Sequence, residues 1–227
     1  MLPFTREQFV AVFADYNPSV WPAQILAYLL GLGMVILLFR RSRAGDRAIG
    51  AGLAAMWAWT GIAYHWFYFS SINKAALVFG ALFVLQGMIL FFGAVLRDHL
   101  KFGSHAGPTA WLGWAFVVYA AVLYPLIGSW TGHQYPEIPT FGITPCPVTI
   151  FTFGLLMLTT APVSRWVFVI PFVWSLIGGS AAFLLNVPQD WLLLASGFIA
   201  IPLIVLRDRS RVQHSLIHRK QDAPDSA

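Results

Sequence analysis

The sequence has few charged residues, and this shortage narrows the class of protein. Charged side chains make up 10% of the 227 residues, whereas hydrophobic ones make up 58%. A soluble globular domain has about a quarter of its residues charged. The composition therefore predicts an integral membrane protein with the lipid bilayer as its partner.

The sequence has only one cysteine, Cys146, which excludes two kinds of site. No internal disulfide can form, and zinc sites built from several cysteines are excluded. The patterns Gly-x-Ser-x-Gly and His-Glu-x-x-His, typical of serine hydrolases and zinc peptidases, are also missing. These absences favour a protein that is not an enzyme and that has no resident cofactor.

The excess of basic residues does not indicate a nucleic-acid partner. The chain has 14 Lys and Arg against 9 Asp and Glu, a formal net charge of +5. These charges occupy short gaps between apolar runs and do not form one basic face. We therefore expect no nucleic-acid binding and interpret the charges as a topology signal.

Seven apolar runs approach the length of about 20 residues that crosses about 30 Å of hydrocarbon. Backbone groups in the bilayer core have no water to bind, so each run should be a helix. The predicted fold is an all-α, multi-pass bundle of seven transmembrane helices, with oligomeric state left open. The predicted spans are residues 19–39, 48–70, 75–97, 109–130, 145–162, 166–186 and 189–206.

The distribution of Lys and Arg predicts the orientation, because these residues are retained on the cytoplasmic side of span ends. Successive gaps between the spans lie on alternate sides of the membrane and so form two sets. One set, which includes the N-terminal segment, holds only two basic residues, Arg6 and Lys74. An odd number of spans then places the N-terminus outside and the C-terminus in the cytoplasm. The other set holds Arg40, Arg41, Arg43, Arg47, Arg97, Lys101, Arg165, Arg207, Arg209, Arg211, Arg219 and Lys220.

Two segments flank the predicted transmembrane domain of residues 19–206. Residues 1–18 predict a short helix, since Thr5 and Gln8 have capping-box spacing and Phe4 and Phe9 have staple spacing. We interpret it as an outer interfacial helix, with a lid over a pocket as the alternative. Residues 207–227 form a basic tail, which we expect to be cytoplasmic and partly disordered.

Polar residues near the spans gather on the predicted outer side. Such groups are unfavourable in a bilayer unless they face each other or a wet cavity. We interpret them as an outward-facing vestibule for transport or binding of an unknown small solute or ion. The predicted lining residues are Gln24, His65, Asn73, Lys74, Gln86, His133, Tyr135, Glu137, Cys146 and Thr149.

The run TPCP predicts a helix start, with Thr144 as the N-cap and Pro145 in the first turn. Cys146 then lies at a helix N-terminus, where the helix dipole favours a thiolate. One alternative function is binding or sensing of a thiophilic metal ion by Cys146, His65 and His133. Another is an intramembrane enzyme with Cys146 as nucleophile and a histidine as base.

Some of the predicted site residues also have a purely structural interpretation. Cys146 can serve as a small hydrophobic side chain, and Gln86 can join two helices through its amide. Trp57, Trp59 and Trp174 fall inside the spans, where we expect each indole N–H to need an acceptor.

Three segments resemble an uncharacterised bacterial integral-membrane family, a domain-of-unknown-function family. They are FTREQFVAVFADYNPSVWPAQ, YHWFYFSSINKAALVFGALFVLQG and PTFGITPCPVTIFTFGLL, and the TPCP part is the most specific. The resemblance covers nearly the whole chain. It implies a multi-pass protein of the bacterial cytoplasmic (inner) membrane, and it implies neither an activity nor functional residues.

Overall fold

A computed structural model of the chain describes residues 3–132, 134–185 and 187–221. Among these residues β structure is limited to one antiparallel bridge between Phe102 and Thr159, so the predicted all-helical fold is confirmed. The α-helices are α1 Arg6–Ser19, α2 Ala23–Leu37, α3 Arg43–Trp59, α4 Ala76–Phe91, α5 Pro108–Val118, α6 Tyr124–Trp130, α7 Pro145–Met157, α8 Trp166–Leu185 and α9 Trp191–Gln221.

Three π-helical segments continue α-helices without a break. They are π1, Thr60–Tyr68 after α3; π2, Phe92–Leu96 after α4; and π3, Tyr119–Leu123 between α5 and α6. π-Helical turns are rare and occur frequently at functional sites. Two of the three, π1 and π3, contribute to the site described below.

Four of the described helices are long and apolar enough to cross a membrane: Ala76–Leu96, Pro108–Trp130, Trp166–Leu185 and Pro188–Arg211. A fifth candidate arises if α1 and α2, which meet at an 85° bend, form one span. Residues 43–71 are helical across the second predicted span, but this helix is not among the candidates. These helices suggest a membrane protein, and the count of seven spans stays a prediction.

Helix α7 lies at the centre of the bundle, and all thirteen of its residues are buried. It is about 20 Å long at about 1.5 Å per residue, which is shorter than the hydrocarbon thickness. Its predicted start is confirmed, since Thr144 is extended at the N-cap and Pro145 opens the helix. Close approach to α5 requires glycine, because a Cβ on Gly154 would lie 2.8 Å from the Gly113 carbonyl oxygen.

The gaps predicted to carry the basic residues meet at one end of the bundle, which we call the basic end. The Ser104 amide donates to the Leu38 carbonyl at 3.0 Å, and the Thr160 amide donates to the Lys101 carbonyl at 2.7 Å. Arg207 donates from Nη1 to the carbonyl of Met157, the last residue of α7, at 2.8 Å. These contacts bring the basic gaps together at one end of the bundle, while the topology of the spans and their inside and outside ends stay predictions.

Ion pairs hold the basic end together. The Asp98 carboxylate accepts hydrogen bonds from the guanidinium groups of Arg43 and Arg47. These bonds hold the pKa of the Asp98 carboxyl well below its usual range. Asp46 accepts from the Phe102 amide at 2.7 Å.

Candidate functional site

A partly enclosed cavity of about 150 Å³ lies at the opposite end, between α1, π1, α4, α7, α8 and the start of α9. An apolar cavity of about 150 Å³ in another protein holds benzene, so a ligand of roughly six to eight heavy atoms fits this space. The largest group of lining side chains consists of phenylalanine and tyrosine rings, namely Phe4, Phe9, Phe13, Tyr64, Phe69 and Phe79. We call this set the aromatic wall.

Helix α1 supplies one side of the aromatic wall. Its start is fixed by the predicted capping box, in which the Thr5 amide donates to Gln8 Oε1 at 2.9 Å and the Gln8 amide donates to Thr5 Oγ1 at 3.3 Å. The Phe13 ring then stacks on Tyr64 of π1, with centroids 5.4 Å apart. The structure places α1 as one wall of the cavity, and both interpretations of this helix, an interfacial helix and a lid, stay predictions.

A non-helical segment, residues 138–144, is buried between α1 and α7. Asn17 Nδ2 donates to the Ile138 carbonyl at 2.8 Å, and the Tyr16 hydroxyl donates to the Ile143 carbonyl at 2.9 Å. Irregular backbone at membrane depth is tolerated only where it is buried in protein or lines a cavity. This segment meets both conditions, because Pro139 also lines the cavity.

The base of the cavity carries its polar groups. Asp190 is 2% exposed, and its carboxylate accepts a hydrogen bond from the Tyr124 hydroxyl. The Cys146 thiol lies beside Asp190, Tyr124 and the indole of Trp174. The partners that the structure gives Asp190 are thus a phenol and a thiol, which carry no positive charge. A buried carboxylate without a cationic partner is costly.

Segment π3 positions Tyr124 for this contact, because α6 continues directly from it. The neighbouring Tyr119 donates its hydroxyl hydrogen to the Gln189 carbonyl at 2.8 Å. Two tyrosines from one helical run therefore hold residues 189–190, at the start of the last long helix. This explains how Asp190 is fixed beside Cys146, 44 residues earlier in the chain.

The three tryptophans expected to need acceptors differ in whether their indole N–H group makes a hydrogen bond. Trp57 donates to Thr152 Oγ1 at 2.8 Å, and Trp59 donates to the Tyr16 hydroxyl at 2.8 Å. Trp174 is 7% exposed, and its indole N–H has no hydrogen-bond partner in the described part of the chain. The unpartnered donor therefore belongs to the tryptophan that lines the cavity.

His65 lies behind Trp174. Its ring is fully buried, with centroid distances of 5.1 Å to Trp174 and 4.8 Å to Phe83. Neither ring nitrogen has a hydrogen-bond partner among the described residues. His65 therefore supports the aromatic packing of the site and does not itself line the cavity.

Of the residues predicted from sequence to line a vestibule, the structure brings Asn73 and Cys146 to the cavity. Lys74 and Tyr135 are exposed, and Glu137 lies on the surface beside α1 in shallower pockets. His133 lies outside the described residues.

The remaining predicted residues make contacts within the protein. Gln24 Nε2 donates to the Asn17 carbonyl at 2.6 Å, and Thr149 Oγ1 donates to the carbonyl four residues earlier at 2.8 Å. Gln86 Nε2 donates to the Val167 carbonyl at 3.0 Å, which joins α4 to α8. This contact is the one that the structural interpretation of Gln86 expected.

Sequence reasoning missed Asp190, Tyr124 and Trp174 as site residues. Asp190 lies in the sequence at the start of the last predicted span, and Tyr124 carries no signal beyond being a hydroxyl inside a span. An acidic residue directly before an apolar run was the available clue, because carboxylates at span ends need a partner.

The described residues contain no group of three or more His, Cys, Asp or Glu side chains that is able to hold a metal ion. The proposed metal set also includes His133, which the structure does not describe. Metal binding by Cys146, His65 and His133 thus stays a prediction.

Comparison with known proteins places the chain in a family without assigning it an activity. No curated protein and no solved structure matches it. One family model matches residues 6–215, which include every helix that contributes to the cavity. The chain therefore belongs to DUF6064, a family of unknown function.

Proposed function

We propose that this membrane protein binds a small solute in the aromatic cavity, as a carrier or receptor with its site in the predicted outer half. The observation that supports this most directly is the coincidence of three features in one place. Within the described part of the chain, the cavity has a buried carboxylate with uncharged partners, an indole N–H without an acceptor and room for a small molecule. Buried polar groups without partners are unfavourable unless a ligand uses them.

The fold supports the same proposal. A short central helix, entered through buried irregular backbone, resembles the broken helices with which membrane carriers build sites near the bilayer midplane. Here Cys146, in the first turn of α7, lines the cavity. We place the transport step after binding and leave its energy coupling open.

The enzyme alternative has less support. The thiol of Cys146 is surrounded by a carboxyl, a phenol and an indole, and no imidazole is among these neighbours. A cysteine nucleophile generally needs an adjacent base or a cationic group that favours the thiolate. Solute binding therefore accounts for more of the site than nucleophilic catalysis does.

A panel of small solutes tests the proposal. The full chain in lipid nanodiscs is heated with choline, butyrate, glycine betaine, 3,3-dimethylbutan-1-ol or Ag⁺, which represent five classes of ligand. A ligand that binds only the folded state raises the midpoint of unfolding. We expect at least one class to raise it saturably, and no shift with any of the five would contradict solute binding.

Two matched variants locate the binding. Ile177 lines the cavity and is 36% exposed, while its neighbour Leu176 does not line it and is 38% exposed. Ile177→Trp should fill the cavity and abolish the ligand-induced shift, whereas Leu176→Trp should retain it. Equal shifts in both variants would place the binding elsewhere.

A further inference from the structure

We infer that the solute is a small organic cation of the alkylammonium class. The inference rests on the proposed function, because it names the ligand of the same cavity. It is carried by two properties of the site, an aromatic wall and one buried acidic group at its base.

The aromatic wall provides the first property. A cation is attracted to the face of an aromatic ring within about 6 Å of its centroid, and quaternary ammonium ligands are commonly bound in cages of such rings. The rings here hold one another in place: Phe4 packs edge-on against Phe69 at 5.4 Å, and Phe79 packs edge-on against Trp174 at 5.5 Å. A wall that is already packed loses little conformational freedom when a ligand binds.

The carboxylate of Asp190 provides the second property. Its side-chain partners among the described residues are the Tyr124 hydroxyl and the Cys146 thiol, and neither neutralises a negative charge. By contrast, the carboxylate of Asp98 at the basic end accepts hydrogen bonds from two guanidinium groups. A positively charged ligand would supply at the cavity what Arg43 and Arg47 supply at the basic end.

The indole of Trp174 narrows the chemical class of the ligand further. Its N–H lies beside the Cys146 thiol and has no hydrogen-bond partner among the described residues. A hydroxyl or carbonyl oxygen on the ligand would satisfy this donor. The arrangement thus favours an ammonium compound that also carries an oxygen atom, such as an alkanolamine.

The main rival is an uncharged apolar ligand, since most of the wall is apolar. Choline and its neutral isostere 3,3-dimethylbutan-1-ol distinguish the two kinds of ligand. The two compounds have the same shape, but choline has a charged nitrogen where the alcohol has a carbon atom. Binding of each compound to the full chain in nanodiscs is measured by isothermal titration calorimetry. We expect choline to bind about tenfold more tightly or better, because only choline has an electrostatic attraction to the rings and the carboxylate.

Asp190→Asn should weaken choline binding about tenfold while leaving the alcohol within about twofold, since the amide keeps the shape and removes the charge. Asp15→Asn is the matched control, because Asp15 is an exposed acid on α1 that does not line the cavity. It should leave the affinity for choline unchanged.

A second variant guards against misfolding of Asp190→Asn. Phe79 is only partly buried, so Phe79→Leu removes one ring from the wall at a modest packing cost. It should weaken choline binding severalfold and affect the alcohol less. Equal affinities of the wild type for choline and the alcohol, or unchanged choline binding in both variants, would overturn the inference.

The results with the five compounds also distinguish failure of the proposed ligand class from failure of the proposed solute-binding function. If butyrate, the alcohol or Ag⁺ occupies the cavity and choline does not, the ligand class is wrong and the solute-binding function stands. If none of the five compounds binds, both proposals fail together.

Discussion

At the basic end, buried and half-buried polar groups find partners within the protein, whereas at the cavity end several do not. Asp98 and Arg207 each make more than one hydrogen bond. The described buried groups without a partner include both ring nitrogens of His65, the Trp174 N–H and Gln189 Oε1. Gln86 Oε1, in the middle of α4, is an exception to this division.

The difference distinguishes polar groups that stabilise the fold from polar groups that are available to a ligand. Polar groups that hold helices together are satisfied by one another, because an unsatisfied buried group costs stability. Among the described groups without a partner at the cavity end, the Trp174 N–H belongs to a residue that lines the cavity, and a ligand would satisfy it. Substitutions at the basic end should therefore change stability and spare ligand binding, and substitutions at the cavity end should do the reverse.

The largest effect on stability is expected at Arg207. Its side chain is 10% exposed and bonds both the Met157 carbonyl at the end of α7 and Thr159 Oγ1. Arg207→Ala should lower the free energy of unfolding by about 3 kcal/mol, because the Met157 carbonyl, Thr159 Oγ1 and Asp208 all lose the guanidinium group that they bond. Denaturation in detergent micelles measures this, and Arg209→Ala, at an exposed position, is the control. Comparable losses in both variants would show that Arg207 has no special role.

A smaller effect should distinguish two tryptophans. Trp57→Phe should cost about 1–2 kcal/mol, because it removes the hydrogen bond to Thr152. Trp174→Phe should cost less than about 1 kcal/mol, since the lost N–H has no hydrogen-bond partner among the residues that the structure describes, yet it should weaken ligand binding. Thermal unfolding with and without choline measures both quantities. A larger stability loss at Trp174 than at Trp57 would count against this assignment.

A still smaller change is expected from Gln86→Leu. The amide makes one hydrogen bond, to the Val167 carbonyl, while its oxygen has no partner among the described residues. Replacement by an apolar side chain of similar size should change the free energy of unfolding by about 1 kcal/mol or less. Choline affinity should be retained, because Gln86 does not line the cavity. Loss of binding in a folded Gln86→Leu protein would place Gln86 in the site.

The smallest effect concerns pH at the basic end. Arg43 and Arg47 lower the pKa of Asp98 in the folded state, so the ionised carboxylate favours folding. This stabilisation should be complete above the unfolded pKa of about 4 and should decrease as the pH falls below it toward the lower folded value. Between pH 6 and pH 3 the unfolding midpoints of the wild type and Asp98→Asn should therefore move closer together without meeting, because the carboxyl in the folded protein titrates only at still lower pH. A constant difference over this range would contradict the assignment.

Local features of the fold could be predicted from sequence. The capping box of Thr5 and Gln8, the helix start at Pro145 and the meeting of the basic gaps at one end depend on neighbouring residues or on composition. Each of these features is present in the structure. The interhelical bond of Gln86 was expected for the same reason, since a buried amide must find a partner.

The site itself depends on contacts that no local pattern encodes. Asp190 meets Cys146 because Tyr119 and Tyr124 hold the start of the last helix, and those tyrosines are positioned by a π-helical segment. The apolar run after Cys146 gave no sign that its helix ends at Met157 or lies fully buried. Sequence reasoning therefore pointed to the end of the bundle that holds the cavity, and it named Asn73 and Cys146 but not Asp190 or Trp174.

The indole resonances of Trp57 and Trp174, assigned through their Phe variants and followed by ¹⁵N NMR during titration with choline, provide the most direct test. We expect a saturable shift of the Trp174 N–H, with little change in the Trp57 N–H, which is already bonded to Thr152. If the Trp174 signal stays fixed up to millimolar choline, or if both signals move equally, the unpartnered indole does not mark a binding site for this cation.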